Sequence, residues 1–292
     1  MKAILLAGGT GSRLYPLTLA ISKQLLPVGD KPLIYYPLSV LMLAGIREIV
    51  VVCNSPDIEN FKKLLGDGSE FGLSIVYVCQ PKPEGIAQSF LLAEEHIAGQ
   101  AVALILGDNL FYGHGFSELL KRVSCNQSGA TVFGYRVIDP ERFGIVECDM
   151  SGNALSLEEK PTRPKSNYAV TGLYFYDSQV LGFAKDLVPS SRGELEITDI
   201  NQRYLERKQL KVEILGRGFA WLDTGTHKAI ADAGVFINSI EERQGLKVGC
   251  LEEIAFRNGW IDVEQLKHRS RKLVKSDYGV YLSGLVKEVE RK

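Results

Sequence analysis

The sequence predicts an α/β protein, a mostly parallel mixed sheet flanked by helices, with a small helical portion at the C-terminal end. Three observations carry this expectation. Short apolar runs at 3–7, 48–53, 73–78 and 102–106 alternate with segments of helical periodicity, which implies parallel strands joined by crossover helices. The first run breaks into a glycine-rich loop rather than a hairpin turn. Beyond about residue 247 the chain is polar and helical throughout. A length of 292 residues, 45% of them hydrophobic, is ample for a core.

Taken in order, 32–44 (PLIYYPLSVLMLA) reads as a helix with Ile34, Leu38 and Leu41 on one face, and Gly45 stands at its C-terminal cap. Residues 58–65 and 86–98 are further helices between the strands. The second half is more mixed. A helix over 116–123 precedes strands at 130–136, 144–148, 154–157 and 167–176. Helices over 180–187 and 197–206 come next, then strands at 210–215 and 219–222 and a helix over 226–243. No repeat, low-complexity stretch or clear linker interrupts the series.

A formal net charge of -1 and the lack of any basic stripe argue against nucleic acid as a partner. No apolar run is long enough to cross a bilayer, and the chain opens on a strand, so neither a membrane anchor nor a leader is expected. Five cysteines (53, 79, 125, 148 and 250) lack CxxC spacing, and four histidines (96, 114, 227 and 268) lack ligand spacing. This points to a reducing cytoplasm without disulfides or a zinc framework.

Candidate chemistry gathers where strands end. In such sheets ligands sit at the carboxyl ends of the strands. Gly8, Gly9 and Gly11, with Ser12 and Arg13, follow the first strand, and Lys23 and Gln24 come soon after. Glycines let backbone N–H groups approach an anion, and two cations within one short segment suit a polyphosphate. A plain glycine turn with Arg13 on the surface is the competing reading. A Walker-type loop is excluded, since no lysine follows the glycines. A dinucleotide fingerprint is excluded too: its third glycine would be Leu14, and the acid at the right distance, Asp30, follows no strand.

Asp108 ends the strand at 102–106, and Asp223 follows the run at 219–222. Two carboxylates can hold Mg²⁺, which prefers hard oxygen ligands, although either one could simply cap the element after it. Lys160, in LEEKP, belongs either to a solvated charge run or, with Pro161 beside it, to a fixed loop. Gln80 opens a loop stiffened by Pro81 and Pro83. Tyr174 and Trp221 read as core.

The blocks GGTGSRLYPLT, KQLLPVGDKPLIYYPLSVLMLAGI, GDNLFYGHGF, DPERFGIVE, LEEKPTRPKSNYAVTGLYFYD, RGELEITDIN and RGFAWLDTGTH resemble the signatures of the sugar-1-phosphate nucleotidylyltransferases. The resemblance is strongest to the branch that joins a thymidylyl group to glucose 1-phosphate, and it covers nearly the whole chain. One departure is Ser12, where the family usually carries threonine. The resemblance implies a Rossmann-like sheet of the nucleotide-diphospho-sugar transferase type over 1–246, with an interface or regulatory portion over 247–292. It implies dTTP, glucose 1-phosphate and Mg²⁺ as reactants and cofactor. Arg13, Lys23, Asp108, Lys160 and Asp223 would be the catalytic set, with Asp108 and Asp223 on the metal. Gly8, Gly9, Gly11, Ser12, Arg13, Gln24, Gln80 and Gly85 would bind the nucleotide. Asn109, Gly144, Glu159, Lys160, Val170 and, more weakly, Arg192 would bind the sugar phosphate.

The same resemblance implies a homotetramer and feedback inhibition by dTDP-rhamnose at a second site, for which Arg217, Glu253 and Arg257 are candidates; ion pairs without a ligand are the alternative there. Uracil lacks only a methyl group, so UTP is expected to be used less well than dTTP but not excluded. Two rivals stay open: a transferase preferring another pyrimidine nucleotide, and a regulatory subunit that binds nucleotide sugar without catalysis.

Overall fold

A computed structural model of the chain describes residues 1–126 and 128–291. Its strands are β1 Lys2–Ala7, β2 Pro27–Val28, β3 Lys31–Pro32, β4 Glu48–Asn54, β5 Ser74–Gln80, β6 Val102–Leu106, β7 Asn109–Gly113, β8 Ala130–Arg136, β9 Gly144–Cys148, β10 Ala154–Glu159, β11 Tyr168–Tyr176, β12 Leu210–Leu215 and β13 Phe219–Asp223. The helices are α1 Tyr35–Leu43, α2 Ile58–Leu65, α3 Gln88–Leu92, α4 Glu94–Ile97, α5 Phe116–Ser124, α6 Val180–Lys185, α7 Ile197–Glu206, α8 His227–Gln244, α9 Leu251–Arg257, α10 Val263–Lys272 and α11 Asp277–Glu290.

Nine strands form one mixed sheet in the order β10-β9-β11-β6-β1-β4-β5, with β8 pairing β11 and β12 pairing β8. The half built from β5, β4, β1 and β6 is parallel, and β11 joins β6 antiparallel. Period-two alternation explains why both faces need helices. Ala3, Leu5 and Ala7 of β1 point into one apolar cluster, while Ile4 points into another. α1, α2, α5 and α9–α11 cover the first face, and α3, α4, α6 and α7 the second. Tyr278, Leu282 and Leu285 of α11 thus share a core with β1. Truncating a side chain such as Leu5 to alanine there would cost about 2–5 kcal/mol.

Three local differences from the sequence expectation bear on the site. Helix α1 is buried on all sides from Tyr35 to Met42 rather than on one face, because it lies between the sheet and α9. The 86–98 helix splits into α3 and α4 at Ala93. Segments 27–32 and 109–113, where the sequence pattern marks no strand, form the β2–β3 hairpin and a strand, β7, that pairs antiparallel with β13.

Candidate active site

Parallel registry brings three strand ends to one edge. Asn54 pairs with Gln80, Ala7 with Cys53 and Leu6 with Leu106, so the loop after β1, the end of β5 and the turn after β6 open on the same side. Gly107 donates its N–H to the Leu6 carbonyl at 2.8 Å, which a side chain at 107 would block. This contact ties the turn carrying Asp108 to the strand that launches the glycine loop.

The loop itself is shaped by glycine. Gly9 and Gly11 adopt φ of 91° and 60°, and Gly11 starts a short 3₁₀ turn, Ser12–Leu14. The Thr18 hydroxyl donates to the Gly11 carbonyl and Asn54 Nδ2 to the Gly9 carbonyl, each near 2.7–2.8 Å. Arg13 is exposed on this turn, and its guanidinium lies beside Gly225. A cavity of ≈ 210 Å³ runs along the loop between Gly9, Thr10, Lys23 and Asn54.

The two carboxylates meet through the β7–β13 ladder. Asp223 stands opposite Asn109, and Thr224 donates both its N–H and its hydroxyl to the Asp108 carbonyl. Lys23 Nζ contacts Asp108 Oδ2 at 2.5 Å, and Asn109 Nδ2 donates to Asp108 Oδ1 at 2.8 Å. Burial alone would raise the Asp108 carboxyl, but the Lys23 charge and these hydrogen bonds outweigh it and hold the group below the usual carboxylate range. Asp223 is pushed the other way, first by burial and then by the charge of Asp108, with Arg142 at 3.9 Å only partly offsetting them. Two carboxylates on adjoining strand ends, one with an unsatisfied preference for a cation, form a donor set that fits a hard divalent ion completed by phosphate oxygens and water. Among the described residues there is no cluster of three or more His, Cys, Asp or Glu that would hold a metal without such outside ligands.

Both carboxylates line a second cavity, of ≈ 280 Å³, together with Arg13, Asn109, Arg142, Gly144, Glu159, Lys160, Val170, Arg192, Tyr174 and Trp221. Six of the sequence candidates outside the metal pair and the glycines, Arg13, Asn109, Glu159, Lys160, Val170 and Arg192, therefore line this cavity. Glu159 ends β10 opposite Gly144, and Thr198 of α7 donates to its Oε2 at 2.6 Å. A Cβ at Gly144 would fall 3.1 Å from that oxygen, so glycine leaves the carboxylate its room. Lys160 has φ of 45°, a conformation side chains rarely adopt. Such strain costs on the order of 1 kcal/mol or more and is held here by its N–H on the Phe143 carbonyl at 3.0 Å. Its ammonium lies 3.5 Å from Glu159 Oε1.

Other candidates are committed elsewhere. Asn109 Oδ1 accepts from Trp221 Nε1 at 2.6 Å and from the Gly172 N–H at 3.0 Å, so this buried amide, which lines the cavity, also positions Asp108. Arg192 is engaged by Glu196 at 2.8 Å, with Glu159 and Glu194 farther off. Gly85, at φ 105°, packs so tightly on Leu195 that a Cβ would fall 2.3 Å from its carbonyl oxygen. Gln24 accepts from Ser22 at 2.7 Å and points its amide at the Gly8 carbonyl. Arg257 pairs with Glu253 at 2.7 Å, Tyr281 donates to the same carboxylate, and Arg217 is exposed with no ion pair to either among the described residues. Tyr174 and Trp221 are buried as expected and wall the cavity as well. Sequence reasoning missed Arg142, which sits in an exposed turn whose only local signal is the Asp139–Arg142 spacing. A roomier cavity of ≈ 610 Å³ beside Lys31, Tyr35, Arg269 and Tyr278 includes none of these groups.

The model of the family described as nucleotidyl transferase matches residues 2–240. A Neisseria meningitidis glucose-1-phosphate thymidylyltransferase is 57% identical over 288 residues, covering 99% of this chain and 100% of that protein. The chain belongs to the nucleotidyl transferase family. Within it the chain groups with the glucose-1-phosphate thymidylyltransferases, for the Mycobacterium tuberculosis protein of that name is 55% identical over 98% of this chain and 99% of its own length. A Bacillus anthracis structure described as a glucose-1-phosphate thymidylyltransferase in complex with sucrose superposes with a TM-score of 0.74 at 42% identity, covering 81% of this chain and 94% of that one. A UDP-glucose pyrophosphorylase complexed with UDP-glucose, at 24% identity, shares the fold with a TM-score of 0.72 over 83% of this chain and 99% of its own.

Proposed function

We propose that the chain transfers the thymidylyl group of dTTP to α-D-glucose 1-phosphate, releasing pyrophosphate. The observation that carries this reading is the single cavity in which the carboxylate pair and Arg13 face Glu159 and Lys160. A phosphate on the sugar side and a triphosphate on the loop side would then meet at Asp108 and Asp223.

In this scheme a phosphate oxygen of the sugar attacks the α-phosphorus in line with the departing pyrophosphate, and the protein contributes position and charge rather than covalent chemistry. Lys160, held by its unusual backbone, grips the attacking phosphate, and Glu159 accepts sugar hydroxyls. Arg13 and the N–H groups of Gly9, Gly11 and Ser12 take the triphosphate. Lys23 serves both the triphosphate and Asp108. Mg²⁺, held by Asp108 and Asp223, would neutralise phosphate charge as the transition state forms. Gln80, with the backbone at Gly85, reads the base.

Support for dTTP comes from the relatives, and discrimination against UTP rests on one methyl group, about 1–3 kcal/mol. No helix among the described residues is long and apolar enough to cross a membrane, and cytoplasmic catalysis fits the unpaired cysteines. The helices from 247 onward would serve a homotetramer interface and a dTDP-rhamnose site around Arg217, Glu253 and Arg257. Pyrophosphate release with glucose 1-phosphate, Mg²⁺ and each of dTTP, UTP, CTP, GTP and ATP tests the reading. Fastest release with dTTP is expected; release with CTP or a purine alone would refute the base assignment, and no release would favour a binding subunit.

A further inference from the structure

The Gln80 carbonyl oxygen is a buried acceptor with no donor among the described residues. The side chain is 3% exposed, and a Cβ at Gly8 would fall 1.8 Å from that oxygen. A buried acceptor left without a donor is costly, so its orientation calls for a cause. The cause is a chain of hydrogen bonds behind it. Gln88 Nε2 donates to Glu84 Oε2 at 2.8 Å, and Gln88 Oε1 accepts from the Glu84 N–H at 3.2 Å and from Gln80 Nε2 at 2.9 Å. A carboxylate can only accept and a backbone N–H can only donate. Both therefore force Gln88 to turn its NH₂ toward the Glu84 carboxylate and its oxygen toward Gln80. Gln80 must in turn spend its NH₂ on Gln88, which leaves oxygen as its free end. The loop is anchored as well, by Leu195 N–H on the Glu84 carbonyl at 2.7 Å and Ala87 N–H on the Leu195 carbonyl at 3.2 Å.

We propose that Glu84 and Gln88 are positioning residues that set base specificity, by fixing Gln80 so that the nucleotide site offers an acceptor and selects bases presenting a ring N–H. Thymine and uracil have that N–H, whereas cytosine presents a bare ring nitrogen at the same edge. The inference rests on the reading of Gln80 as the base contact, and it adds the device that decides which end of the amide faces the ligand.

The test is the ratio of kcat/KM for dTTP to that for dCTP. Gln80→Leu should collapse the ratio; if it does not, Gln80 is not the reader and the inference falls with that assignment. Given collapse in Gln80→Leu, Gln88→Met should lower the ratio about tenfold by letting the Gln80 amide turn over. Gln88→Glu, which still accepts from Gln80 and from the Glu84 N–H, should keep the ratio even if overall activity drops. Glu84→Ala, at an exposed position and so safe for folding, should lower the ratio about threefold by removing one of the two constraints. An unchanged ratio in both Gln88→Met and Glu84→Ala, or an equal loss in Gln88→Glu and Gln88→Met, would overturn the relay while leaving Gln80 as the base contact. A purely structural role would depress both nucleotides alike.

Discussion

Asp108 sits in a turn whose neighbours are already arranged around it: Lys23 on one oxygen, Asn109 on the other, and Trp221 and Gly172 behind Asn109. Asp223, one rung away across the β7–β13 ladder, has one ion pair among the described residues, a loose one to Arg142 at 3.9 Å. The fold stabilises the charge of the first and opposes the charge of the second. The contrast teaches how such a site can be built from two similar residues. One carboxylate is fixed in place before any ligand arrives. The other is left in a setting that opposes its charge and that a divalent cation would relieve, so binding and stability are drawn against each other at Asp223.

Removing the support of Asp108 should have the largest effect. Lys23→Met takes away its counter-ion and, on the proposed reading, a cation for the triphosphate, and kcat/KM for dTTP should fall by about 10²–10³ in steady-state assays. A fall below tenfold would mean that Lys23 is dispensable to Asp108. Next comes the loop that faces them. Gly8→Ala would drive a methyl against the Gln80 oxygen, which Gln88 prevents from yielding freely, and KM for dTTP should rise about tenfold with kcat less affected.

The comparison sharpens further in metal-free protein. A carboxyl whose value is lowered by folding adds stability above its unfolded value and loses it as pH falls. One whose value is raised favours folding only at low pH, and that advantage disappears as pH rises through its folded value. At pH 7 with chelator, Asp108→Asn should therefore lower the melting temperature and Asp223→Asn should raise it, each by about 1–3 °C. Near pH 3 the two differences should shrink. Shifts of the same sign at pH 7 would break the contrast. The smallest effect belongs to Arg142→Ala, which removes the stronger of the two cations, Arg142 and Lys23, that favour ionised Asp223. The acid limb of the pH–rate profile should then move to higher pH, measured at saturating dTTP.

Much of this edge was legible before the structure because it depends on local pattern. Apolar runs locate β1, β4, β5 and β6, parallel connection puts their carboxyl ends together, and Gly8 to Arg13, Gln80 and Asp108 follow. The rest depends on pairings distant in sequence. Asn109–Gly113 is too short and mixed to announce a strand, so nothing local says that Asp108 and Asp223 become neighbours. Nothing near Asn109 in sequence says that its oxygen is held by Trp221, 112 residues away. Arg142 carries no apolar run to mark it, and the strained backbone of Lys160 exists only because β9 and β10 close around it. Gly85 was read as a backbone contact to the nucleotide, and the fold adds a second reason for glycine there, the close passage of Leu195.

On the proposed reading, Asp108 and Asp223 act as a pair on the transfer step, not on holding the nucleotide sugar. The most direct measurement compares dTTP-dependent pyrophosphate release, with glucose 1-phosphate and Mg²⁺, in the wild type and in Asp108→Asn and Asp223→Asn, beside the calorimetric Kd of each for dTDP-glucose. Turnover should fall by about 10² or more in both variants, with Kd within a few-fold of wild type. Turnover within tenfold of wild type in either variant would contradict it.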